Sequence, residues 1–133
     1  MDMDVYFAGG KRVNASYLGF TVPTDQAKKE DGNESAPTPF SLFFASMATC
    51  AGIYVLRFCQ ERKIPTENIR LTLHTEADEK KKMITKVEIT IIVPPDFPDK
   101  YKQAVIRAAD LCTVKKHLQD PPVIETTTRV DGS

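Results

Sequence analysis

Hydrophobic and polar positions change their spacing several times along the chain, and each change marks a predicted element. Val5 to Phe7, Arg12 to Tyr17 and Phe20 to Pro23 are short runs rich in β-branched and aromatic residues, punctuated by Gly9-Gly10 and Leu18-Gly19. They predict an N-terminal β-meander. Gln26 to Glu34, QAKKEDGNE, is charged and aperiodic and reads as a solvated loop. No charged residue then stands between Glu34 and Arg57. Thr38 before Pro39 signals a helix start, because a hydroxyl caps free N–H groups and proline is tolerated in the first turn. Arg57, Arg62 and Lys63 gather at the other end, where cations suit the helix dipole, and Pro65 stops the helix.

Ile69 to Glu76 alternates through Ile69, Leu71 and Leu73, and Ile84 to Val93 ends in a β-branched run. These are two strands joined by a turn at Lys80-Lys81-Lys82. Pro94-Pro95 breaks the second strand. Pro98 to Leu111 carries Tyr101, Val105, Ala108 and Cys112 at helical spacing, and Thr113-Val114 begins a short turn or helix. Val123 to Val130 predicts a last strand. The order βββ-α-ββ-α-β, with strands and helices segregated in runs, is that of an α+β fold in a single domain over 1–133.

The uncharged stretch is long enough to span a bilayer, but Ser35, Thr38, Ser41, Ser46 and Thr49 dilute it and Pro37 and Pro39 stand at its front. The surrounding amphipathic elements need an apolar partner, so the stretch is expected to be a buried helix and not a membrane span. The three N-terminal strands are too few to cover it, and a homodimer with the long helices buried centrally is expected. Eighteen basic residues balance eighteen acidic ones. Attraction to nucleic acid or anionic lipid is therefore not built in. The start MDMDVYFAGG lacks the basic and apolar regions of a secretory signal, so the cytoplasm is expected.

Three cysteines with no CxxC pair argue against a disulfide framework, and any chemistry they do would be catalytic or redox-sensing. On one helix Cys59 lies roughly opposite Cys50 and about 13 Å further along, so these two cannot pair within a chain. Cys50 shares a stripe with Phe43, Met47 and Tyr54, a stripe that packs a core or a dimer, or lines a pocket. Cys59 reads as core. His74 and His117 have no carboxylate or cysteine at ligand spacing, and neither a metal site nor a cofactor is expected.

A GG-rich first hairpin, a TDQ segment, an acidic loop, "APTPFSLFFASMATCAG" and then "AADLCTV" together resemble the OsmC/Ohr family of thiol peroxidases and organic hydroperoxide resistance proteins. The resemblance covers nearly the whole chain. It implies an OsmC-like α+β fold, an intertwined homodimer, Cys50 as the peroxidatic and Cys112 as the resolving cysteine, and reduction by a dithiol. It also implies an arginine in the first hairpin, matched here by Arg12. The apolar side chains of Phe40, Phe43, Met47 and Tyr54 would suit an organic hydroperoxide.

Two positions depart from the family pattern. Phe40 and Ser41 stand where a glutamate is expected in the first turn of the central helix, and Thr113 follows the second cysteine in place of proline. Cys50 lies some three turns inside its helix, beyond the useful reach of the N-terminal dipole, so its thiolate needs a separate cation. With Arg12 lacking its glutamate, Cys50 is expected to react nearer alkaline pH. Cys112, closing the second helix, is expected to hold its proton because a helix C-terminus disfavours an anion. Two function classes follow: a thiol peroxidase, or a catalytically weak binding or thiol-carrier module handling a persulfide or another small electrophile.

Overall fold

A computed structural model describes residues 1–132, and in it the chain forms two compact units, Met1–Ser46 and the part that begins at Met47. The first unit holds β1 (Asp4–Gly9), β2 (Arg12–Tyr17) and β3 (Phe20–Val22) in one antiparallel sheet of that order. Tyr17 pairs with Phe20 across Leu18 and Gly19, whose φ angles are 46° and 80°. Two successive positive φ values match the right-handed twist of the strands, the reason such turns close tight hairpins.

The charged loop after β3 is organised from within. Asp25 is fully buried, and its carboxylate accepts the N–H of Gln26 (2.8 Å), the N–H of Ser35 (3.1 Å) and the Ser35 hydroxyl. A 3-10 turn at Lys28–Glu30 fills the loop. Gly32 passes so close to Gln26 that a Cβ there would stand 2.0 Å from the Gln26 carbonyl oxygen. The charged side chains remain solvated while the backbone is pinned by a single carboxylate.

Helix α1 (Pro39–Glu61) starts as its hydroxyl cap predicts, with Thr38 Oγ1 accepting the Ser41 N–H at 3.1 Å. Its end is a C-terminal cap with Lys63 in the left-handed region (φ 55°) and the Ile64 N–H returning to the Cys59 carbonyl at 2.9 Å. Arg62 adds a bond to the Phe58 carbonyl at 3.0 Å and lies 3.6 Å above the Phe58 ring.

In the second unit, β4 (Arg70–Asp78) and β5 (Met83–Ile92) form an antiparallel ribbon, pairing Leu71 with Ile91 and Leu73 with Ile89. Period-2 alternation puts these four on one face. Leu71, Ile89 and Ile91 pack on a core of Ala51, Val55, Phe58, Cys59, Phe97, Val105 and Ala109. The predicted second helix resolves into a 3-10 turn at Asp99–Tyr101 and α2 (Lys102–Ala109), and α3 (Thr113–Gln119) follows.

Two expectations change. The strand expected at Val123 to Val130 is not formed: residues 121–130 have no regular secondary structure, and Val123 and Ile124 are each 85 % exposed. A strand needs a neighbouring ladder, and β4 and β5 pair with each other, with no third strand in their sheet among the described residues. Secondly, α1 buries a single stripe, Met47, Ala51, Val55 and Phe58 with Cys59 beside it, while Phe40, Phe43 and Ile53 stay exposed. By length and composition alone α1 could cross a membrane, yet this stripe builds the core of the second unit.

Candidate functional site

Cys50 lies half-buried on α1, with Met47 one turn before it and Tyr54 one turn after it. Where α2 ends, the N–H groups of Leu111 and Cys112 turn back to Ala108 and Ala109. Cys112 then leaves the helical region (φ −45°, ψ 126°) and becomes the N-cap of α3, its sulfur accepting the Lys115 N–H at 3.5 Å. This corrects the expectation that Cys112 closes a helix. Its position between two helices aims the following turn at α1.

The sequence-predicted cysteine pair meets there. The Cys112 thiol lies 4.0 Å from the Met47 carbonyl oxygen, one turn before Cys50, and acts on the Cys50 sulfur so as to favour its charge. The backbone N–H groups of Val114 and Thr113 also act on the Cys50 sulfur and favour its charged form. Tyr54 and Thr113 share a hydroxyl–hydroxyl hydrogen bond of 3.1 Å. Arg57 carries its guanidinium 5.6 Å from the centre of the Tyr54 ring. Outside the turn, Lys115 and Asp110 form an ion pair of 2.9 Å.

These groups separate the two thiols. Burial pushes Cys50 upward, but the Val114 N–H, the Cys112 thiol, the Thr113 N–H and the Arg57 charge outweigh it, and its pKa falls below the ordinary thiol value. The alkaline reaction expected for Cys50 rested on the missing glutamate and the distant helix N-terminus; groups from the start of α3 and Arg57 act on the sulfur in the opposite direction. For Cys112 burial is the largest influence, and the neighbouring Cys50 adds to it, so this thiol is raised despite the Lys115 N–H. The expected direction holds for a different reason. Cys59 is wholly buried, and burial raises it too, against the Arg62 charge.

The remaining predicted residues belong to the first unit or to the core. Arg12 is exposed on β2, its guanidinium donating to the carbonyls of Ala8 and Gly9. Phe40 and Phe43 stack on each other at 5.9 Å between ring centres, with Phe44 edge-on to both. Met47 is buried. Arg57, Thr113 and Val114 were not singled out as site residues by the sequence. Arg57 at the seventh position after Cys50 repeats on the same helical face, which is a usable signal. The N–H donors of Thr113 and Val114 carry no side-chain signature. Among the described residues no three of His, Cys, Asp and Glu converge on a possible metal site.

A family model described as "OsmC-like protein" matches residues 32–127. No curated protein sequence matches the chain. Among solved structures, a Psychrobacter arcticus protein described as an osmotic stress induced and detoxification response protein is similar at 21 % identity and a TM-score of 0.73, over 86 % of this chain and 85 % of that one. An OsmC like protein from Mycoplasma pneumoniae matches at 12 % identity and a TM-score of 0.69, covering 90 % and 87 %. An organic hydroperoxide resistance protein from Legionella pneumophila matches at 16 % identity and a TM-score of 0.57, covering 90 % of each chain. At these identities the likeness is one of fold.

Proposed function

Because this chain belongs to the OsmC-like protein family, we propose that it is a thiol-dependent peroxidase that reduces organic hydroperoxides through Cys50 and Cys112. The observation that carries the reading is the Cys112 thiol and two backbone N–H groups gathered on a Cys50 sulfur whose pKa is lowered. A thiolate is the nucleophile that the reaction needs.

The steps follow from that arrangement. The Cys50 thiolate attacks one peroxide oxygen; an S–O bond forms, the O–O bond breaks, and the alkoxide leaves and takes a proton as alcohol. Cys50 is then a sulfenic acid. The Cys112 sulfur, deprotonated as it attacks, forms an S–S bond with Cys50 and expels hydroxide, which is protonated to water. A dithiol donor returns two electrons by exchange through a mixed disulfide. Arg12 is assigned the peroxide oxygens and Phe40, Phe43, Met47 and Tyr54 the organic group. The chain works as one OsmC-like domain over 1–133, in a cytoplasmic homodimer that covers the exposed Phe40, Phe43 and Ile53. The Legionella relative's description as a hydroperoxide resistance protein supports the substrate class.

A second reading has its own observation. Arg12 is engaged by the carbonyls of its own hairpin, and Phe40 and Ser41 offer it no carboxylate. On that reading the protein is a weak catalyst or a thiol carrier binding a small electrophile. Consumption of cumene hydroperoxide with dithiothreitol as reductant separates the two. Loss of turnover in Cys50→Ser, and a single turnover with a trappable sulfenic acid in Cys112→Ser when dithiothreitol is withheld, support the peroxidase. Negligible turnover by the parent supports the carrier.

A further inference from the structure

Helix α3 has no fully buried side chain; its first turn is held by the buried N-cap Cys112, the half-buried Val114 and polar bonds. With so little apolar burial, polar bonds at its ends matter for where a short helix sits. One such bond is present: Tyr54, one turn beyond Cys50 on the same face of α1, reaches Thr113 Oγ1 at 3.1 Å. Thr113 is the first residue of α3 and directly follows the N-cap Cys112. Arg57, three positions after Tyr54, lies over the Tyr54 ring at 5.6 Å, a cation–π contact that restrains the ring and brings a positive charge along the Cys50 stripe.

We propose that Tyr54 and Thr113 are positioning residues for Cys50: their hydroxyl–hydroxyl bond clasps α3 to α1 and keeps the Thr113 and Val114 N–H groups on the sulfur. The inference rests on the reading of Cys50 as the reacting thiol. Neither side chain does chemistry. Each acts through the backbone donors that the clasp holds, and their contribution is present only while sulfur carries charge. The groups acting on that charge are Cys112 and Arg57, while Lys115 is neutralised by Asp110 at 2.9 Å.

The test is the pH midpoint of Cys50 alkylation, followed by mass spectrometry of its peptide in the full-length protein. The thiolate displaces iodide from iodoacetamide, so the rate reports the thiolate directly. Tyr54→Phe and Thr113→Val each delete one partner and should raise the midpoint by about half to one pH unit, as loss of one hydrogen bond implies. The double variant should go no higher than either single one, and Thr113→Ser should behave as the parent. Thr113→Pro, acceptable at a first helical position but lacking an N–H, should shift it further than Thr113→Val.

Unchanged midpoints in folded Tyr54→Phe and Thr113→Val would overturn the clasp, as would additive shifts in the double variant. If Thr113→Val fails to fold, Tyr54→Phe alone decides. Failure of the peroxidase reading is seen elsewhere, as hydroperoxide consumption that survives Cys50→Ser, and it leaves the alkylation result standing.

Discussion

Cys112 caps α3 with its sulfur and at the same time presents its thiol to Cys50 on α1. The two thiols are driven in opposite directions by this contact, since a hydrogen bond given to a sulfur favours its charge and a charge beside a thiol preserves the thiol's proton. Cys50 is lowered and Cys112 raised. The proposed division into attacking and resolving cysteine rests on this one joint between two helices.

The first prediction is an order of reactivity. Near neutral pH, iodoacetamide should modify Cys50 well before Cys112 or Cys59, because only Cys50 is lowered while burial raises the other two. A group with a lowered pKa is already anionic below the ordinary thiol value, so its alkylation rate should level off at a lower pH than that of a free thiol. Equal labelling of all three thiols in the native protein would contradict this.

Arg57 is exposed, so its charge is screened by solvent. Arg57→Gln should slow neutral-pH alkylation of Cys50 by up to about fivefold, the scale of an exposed charge interaction. The deficit should shrink in about 1 M salt, where screening acts within about 3 Å. A deficit indifferent to salt would assign Arg57 to packing.

Asp25 predicts an acid limb in stability. The Ser35 hydroxyl and the N–H groups of Gln26 and Ser35 lower its pKa from 3.8 to about 2. A lowered carboxyl stabilises the fold above its unfolded pKa, and this contribution is lost as pH falls through the folded value. Unfolding monitored by circular dichroism should therefore show stability declining between about pH 4 and pH 2. Asp25→Asn should lower stability at neutral pH and flatten that limb.

Gly32→Ala should destabilise the first unit by about 1–3 kcal/mol, the range for overpacking a closed site, because the new Cβ would stand 2.0 Å from a backbone oxygen that cannot swing aside. Urea unfolding of the variant against the parent measures it. An unchanged midpoint would show that the loop re-forms around a methyl group.

The exposed Phe40, Phe43 and Ile53 on α1 and the apolar Val123 and Ile124 beyond α3 lead to an expected homodimer. Sedimentation velocity at micromolar concentration should give twice the chain mass. A stable monomer would remove the dimer from the proposed function.

Much of the molecule was legible along the chain because the signals are local. Thr38-Pro39 starts a helix through a hydroxyl and a proline ring that act on their own backbone, and Leu18-Gly19 closes a hairpin through its own φ angles. Alternation from Leu71 to Thr75 fixes which side chains share a face, since the pleat has period two. The family motif brought Cys50 and Cys112 together as a candidate pair.

Other features depend on groups far apart in sequence. The run from Val123 to Val130 has strand composition, yet a ladder needs a neighbour that composition cannot supply. Asp25 looks like one charge among many until Ser35 turns back to it. The groups acting on Cys50 were not legible because they include the backbone N–H groups of Thr113 and Val114, identical in type at every non-proline residue and telling only where the chain folds them near a sulfur. The sequence by itself determined the first five strands, the long helix, the α+β class and the candidate cysteine pair, whose causes lie within a few residues or in a motif. Only the tertiary structure decided which thiol is lowered, because that depends on which donors and charges converge in space, and convergence is set by packing.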